Sequence, residues 1–158
     1  MYQRILLAID TTPTEENRSA LTRTEQIGRL TGATVYLLHV ARAHIVPGDL
    51  IGGSGLGVLS AEDDVEAVDR QAVQQLVDSL AAAGVEAHGE IVSATEHDIA
   101  DVILQRAKEL DVDLVVLGHQ HHRGAGNLFR SSVAERVIRR HPPCSILLAR
   151  PPQASGGE

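Results

Sequence analysis

The residues with the most chemistry to offer run from Gly118 to Val133, as Gly-His-Gln-His-His-Arg-Gly-Ala-Gly-Asn-Leu-Phe-Arg-Ser-Ser-Val. Gly118, Gly124 and Gly126 would let the main chain approach a bound group closely, because they carry no Cβ. Ser131 and Ser132 stand where a helix is expected to begin. A helix start offers free N–H groups and a partial positive charge, which together favour an anion. Arg123 and Arg130 add charge, so a phosphate suits this stretch. The histidines invite a metal reading, since His119, His121 and His122 cluster and His39 lies in another apolar run. Zinc needs three or four ligands converging at about 2 Å. No cysteine lies near in sequence and no His-x3-His falls on an expected helix, so solvated loop histidines and no metal site are expected.

Those residues need a scaffold, and five short apolar runs supply it: Arg4–Ile9, Thr34–Val40, Val85–Val92, Asp113–Leu117 and Ser145–Ala149. Near-continuous Val, Ile and Leu in most of them implies strands buried on both faces, as in parallel sheets covered by helices. The third run alternates and is more polar, as an edge strand would be. Between the runs the spacing predicts helices. Thr14 caps one that stops at Gly32, and Glu62 to Ala83 forms a longer one. Thr95 with Asp98 matches a capping box, followed by Ile99, Ile103, Ala107 and Leu110 on one face. Ser132 with Glu135 repeats that start, placing Val133, Val137 and His141 on one stripe until Pro142 and Pro143 end the helix.

The alternation of strands and helices predicts one α/β domain over residues 1–150, an open doubly wound sheet with helices on both faces. The tail at 151–158 is expected to be disordered. Ligands of such sheets bind beyond the carboxyl ends of strands, where strand order reverses. Here those positions are Asp10 to Thr12, Val40 to Arg42, and Gly118 onward. The stretch Ala41 to Ser60 is too long for an ordinary strand-to-helix connection and is rich in glycine. Its Gly52-Gly-Ser-Gly-Leu-Gly57 neither follows a strand directly nor opens a helix, so a flexible loop is expected instead of a nucleotide loop.

Composition removes whole classes of function. The chain has 158 residues, 43% of them hydrophobic, with a net charge of −7 and 2% aromatics. That charge argues against general nucleic-acid binding, and the scarcity of aromatics argues against base-stacking platforms. Acid concentrates in the middle of the chain, at Glu62, Asp63, Asp64, Glu66 and Asp69. No apolar run approaches the roughly 18 residues of a membrane span, and no signal peptide is apparent. Cys144 is the only cysteine, so a reducing, cytoplasmic setting fits, with Cys144 as a structural thiol. There is no Gly-x-Ser-x-Gly elbow and no Walker A loop. No catalytic residue is therefore assigned, although slow hydrolysis of a bound nucleotide is compatible with the sequence.

Ile-Leu-Leu-Ala-Ile-Asp10, Tyr-Leu-Leu-His-Val40, Leu-Val-Val-Leu-Gly118 and Ser-Ser-Val-Ala-Glu-Arg-Val137 together resemble the universal stress protein family across nearly the whole chain. That resemblance implies a five-stranded sheet in the order 3-2-1-4-5, and a homodimer often formed through the last strand. It also implies a stress-response role and, in many members, ATP bound between strands one and four through Gly-x2-Gly-x9-Gly-Ser/Thr. On this sequence the motif falls on Gly118, His121, Ser131 and Ser132, so two of its three glycines are replaced. By the same resemblance Asp10 and the main chain of Val40 would meet the adenine, unless Asp10 merely caps the first strand. Gly124, Gly126 and Val133 complete the candidate set for ATP or AMP with Mg. The replaced glycines resemble the branch of the family without the ATP motif, which implies the alternative of a nucleotide-free module that docks an unknown protein partner.

Overall fold

The computed structural model of the chain describes residues 1–42, 59–118 and 132–152. Its elements alternate along the chain: β1 (Arg4–Ala8), α1 (Glu15–Thr31), β2 (Thr34–Arg42), α2 (Leu59–Ala82), β3 (Ala87–Ala94), α3 (Ile99–Glu109), β4 (Leu114–Gly118), α4 (Val133–Arg139) and β5 (Ser145–Ala149). The strands form one five-stranded sheet, β3-β2-β1-β4-β5, and every pairing is parallel. Strand order reverses beside β1, which lies between β2 and β4. The carboxyl ends of these three strands therefore open onto a common crevice.

Each face of the sheet has its own core. On one side Ile5, Leu7, Val35, Leu37 and Val116 meet α1 and α2 through Ala20, Val73 and Leu80. On the other Leu6, Leu38, Val115 and Leu117 meet α3 and α4 through Ile103, Ala107, Ala134 and Val137. Side chains alternate across a strand, so the four buried residues Leu114 to Leu117 feed both layers. β3 and β5 are the two edges, in keeping with the alternating pattern of the third run.

Helix ends follow local chemistry. Thr14 accepts from the Asn17 amide at 3.2 Å, and Gly32 closes α1 in the left-handed conformation with φ 69°. Several boundaries depart from expectation. β2 continues to Arg42 because Ala41 and Arg42 still pair with Ser93 and Ala94, and α2 begins at Leu59, so the link between them shortens to 43–58. Thr95 and Asp98 do not form the expected capping box. Their side chains bond each other at 2.5 Å, and α3 starts only at Ile99. His141 does not extend the stripe of α4, which ends at Arg139. His141 takes φ 53° and is exposed, since two prolines follow and the helix cannot continue.

Candidate functional site

A crevice lies at the carboxyl ends of β1, β2 and β4, and the described residues enclose about 110 Å³ of it. Its walls are apolar, from Ala8, Leu38, Ile99 and Ile103, and its rim carries Asp10, Arg42 and Ser132. Apolar walls with a few polar groups at the mouth are the usual form of a small-molecule pocket.

Asp10 leaves β1 into a turn. Its Oδ1 accepts from the Thr12 amide at 3.1 Å and the Thr12 hydroxyl at 3.2 Å. Among the described residues Oδ2 has no hydrogen-bond partner, so the carboxylate both shapes the turn and faces outward. Val40 is half-buried on the β2 side of the crevice, and Val133 is half-buried on the α4 side. Ser132 caps α4, its Oγ accepting from the Glu135 amide at 3.2 Å. That bond uses an oxygen lone pair and leaves the hydroxyl hydrogen able to donate.

Gly118 ends β4 at the crevice, and its reason for being glycine is packing. A Cβ there would lie 3.3 Å from the Glu16 carbonyl oxygen and 3.5 Å from Asn17 Oδ1. The missing side chain lets the first turn of α1 press onto the end of β4. Of the expected site residues, the structure thus brings together Asp10, Val40, Gly118, Ser132 and Val133. His121, Gly124, Gly126 and Ser131 lie outside the described residues.

Three polar residues not assigned to the site from the sequence hold the turn at the end of β1 that carries Asp10. Asn17 is buried in the first turn of α1, and its amide donates to the carbonyls of Asp10 at 3.0 Å and Thr12 at 2.7 Å. His39 is also buried, with Nδ1 3.2 Å from the Ile9 carbonyl and Nε2 3.4 Å from Asp69 Oδ2. Asp69 is half-buried there, unlike its exposed neighbours Glu66 and Arg70. It precedes Val73, Leu76 and Leu80 at helical spacing, and a carboxylate at the head of an apolar stripe was a signal available in the sequence. Among the described residues no group of three His, Cys, Asp or Glu converges as a metal site would require. Nor is any described helix long and apolar enough to cross a membrane.

Comparison with known proteins places this crevice in context. The sequence model of the universal stress protein family matches residues 1–150. No curated protein matches the chain. Among solved structures, a universal stress protein family member from Burkholderia pseudomallei is 22% identical, covering 96% of this chain and 97% of that one, with a TM-score of 0.70. A universal stress protein in complex with cAMP is 18% identical over 96% of this chain and 98% of that one, with a TM-score of 0.69. One from Archaeoglobus fulgidus in complex with dAMP is 22% identical over 94% and 98%, with a TM-score of 0.63. At these identities the structures share the fold.

Proposed function

Because the chain belongs to the universal stress protein family, we propose that it binds an adenine nucleotide, ATP or AMP, between β1 and β4 and works as a dimeric cytoplasmic stress-response regulator without being a dedicated enzyme. The observation that carries this reading is the crevice itself. It is an apolar slot at the strand-order reversal, with Asp10 on one rim and Ser132 on the other. Solved relatives of the same fold hold cAMP and dAMP, adenine nucleotides with one phosphate group.

In this reading a purine slides between the aliphatic walls, where Leu38, Ile99 and Ile103 exclude water from its faces. Asp10 accepts from the base or ribose through its outward oxygen, beside the main chain of Val40. Ser132 donates its hydroxyl to the phosphate, and Arg42 supplies positive charge at the rim. Gly118, His121, Gly124, Gly126 and Ser131 would continue the cradle, with Val133 beneath it. A bound triphosphate brings its own Mg2+, held chiefly by phosphate oxygens. The half-buried Ile146, Leu147 and Leu148 on the open edge of β5 support a homodimer formed there.

His121 and Ser131, standing where the nucleotide motif has glycines, favour a second reading. There the crevice stays without nucleotide and the dimer docks a protein partner. Titration calorimetry with Mg-ATP, AMP and cAMP separates the two. Submillimolar binding that weakens about tenfold in Asp10→Ala and in Ser132→Ala is expected, the loss of one charge-assisted contact in each case. No heat at millimolar ligand sinks the nucleotide reading.

A further inference from the structure

Thr11, His39 and Asp69 form a chain of contacts that joins three elements just beneath the turn carrying Asp10. Thr11 Oγ1 donates to Asp69 Oδ1 at 2.9 Å. The other carboxylate oxygen lies 3.4 Å from His39 Nε2, and His39 Nδ1 sits 3.2 Å from the carbonyl of Ile9. Both ends of this chain return to the same short segment, Ile9 to Thr11. The Ile9 amide is held as well, donating to the Leu38 carbonyl at 3.0 Å.

The setting separates these contacts from an ordinary surface ion pair. The His39 side chain is 6% exposed and that of Asp69 17% exposed. Polar groups so placed cost free energy unless they are partnered. Asp69 is also placed rigidly, because α2 is seated on the sheet through Val73 and Leu80. The carboxylate is contacted on both oxygens, by the Thr11 hydroxyl and the His39 ring. Purely apolar residues at 39 and 69 would fill the same core, so the burial of this pair calls for a role beyond packing.

We infer that His39 and Asp69 are positioning residues: with Thr11 they clamp the exit of β1 to α2 and so fix the direction of the Asp10 carboxylate at the crevice. The clamp acts on the backbone at Ile9 and the side chain at Thr11, the two neighbours of Asp10, and it couples α2 to ligand affinity. This rests on the nucleotide reading of the crevice for its functional consequence, but the clamp itself has a readout that needs no nucleotide.

The variants are Thr11→Val, Asp69→Ala, His39→Leu and His39→Asn, the last keeping an N–H able to reach the Ile9 carbonyl. AMP affinity is measured by calorimetry, and amide hydrogen exchange at Thr12, whose N–H is held by Asp10, is measured by NMR without ligand. Thr11→Val is expected to weaken AMP about 3- to 10-fold, the loss of one hydrogen bond, while thermal stability changes little, since Thr11 is only half-buried. Asp69→Ala should do at least as much, and the double variant should lose less than the product of the two. His39→Leu should weaken AMP most, with His39→Asn recovering part of that loss. Thr12 exchange should quicken in the same order. Should His39→Leu fail to fold, Thr11→Val and Asp69→Ala decide the matter alone. Wild-type affinity and wild-type Thr12 exchange in both would overturn the clamp. If the wild-type protein binds none of Mg-ATP, AMP and cAMP, the nucleotide reading falls, and the exchange rates still decide whether Asp10 is clamped.

Discussion

At the amino ends of β1, β4 and β5 a cavity of about 420 Å³ opens between Gln3, Arg4, Asp113 and Cys144. At the carboxyl ends the described residues enclose about 110 Å³. With a further hollow of about 280 Å³ beside the Asp10 turn, room alone does not set the carboxyl end apart from the amino end. The polar groups there, however, are occupied with one another. The two carboxylate oxygens of Asp113 accept from the amides of Gln3 at 2.8 Å and Arg4 at 3.2 Å. Arg4 Nη1 in turn donates to the carbonyls of Leu110 at 3.3 Å and Asp111 at 3.4 Å and to the Asp111 carboxylate at 3.1 Å. These bonds start β1 and close the turn before β4, leaving little for a ligand. At the carboxyl end the fastening groups, Asn17, His39 and Asp69, lie beneath the turn, so Asp10 and Ser132 remain on the rim. What distinguishes a site from a cleft here is where the polar groups are spent.

The sharpest way to break this comparison is Asn17→Leu. The carbonyls of Asp10 and Thr12 would lose a donor in a part-buried setting, at about 1–3 kcal/mol for each unsatisfied acceptor. Together the loss should come to about 2–6 kcal/mol in urea unfolding, with AMP affinity falling at least about tenfold as the turn loosens. A protein destabilised to this degree that still binds AMP as the wild type does would mean that the turn's geometry matters for folding only.

The amino end should answer differently. Asp113→Ala removes two bonds to main-chain N–H groups near solvent, which costs about 1–2 kcal/mol. AMP affinity should not change, because nothing links Asp113 to the crevice. A drop in affinity beyond the error of the titration would erase the distinction between the two ends.

The contrast also explains what was legible in the sequence. Strand runs, Thr14 and Gly32, Ser132 and Glu135 are local signals, and each was recovered because sheet and cap chemistry act within a few residues. The ends of β2 and β3 depend on each other across the sheet, so Arg42 and Ala94 could not be read from either run alone. Gly118 does line the crevice, but the closeness of the Glu16 backbone to it is brought about by the fold and has no local signal. Thr95 and Asp98 had the spacing of a capping box, but bonding each other satisfied them without the helix. Asn17 carries no mark in its own segment, and the cues at His39 and Asp69 do not say what either meets. Their role appears only when α1, β2 and α2 meet over one turn.

The smallest expected effect concerns Cys144, which lies half-buried beside Asp113. Burial raises its thiol pKa above the ordinary value, the Asp113 carboxylate raises it further, and a main-chain bond from Val115 works the other way. The folded protein therefore holds this proton longer than the unfolded chain does. The resulting stability is fully present below the usual thiol value of about 8.5 and is lost as pH rises through the folded value. The rate of iodoacetamide alkylation, followed against pH, should accordingly show a midpoint above about 8.5. Asp113→Asn keeps the shape and removes the charge, so the midpoint should move down. Asp10→Asn, at the other end of the sheet, should leave it where it is. A midpoint that shifted with Asp10 and not with Asp113 would mean that the two ends are not electrostatically separate.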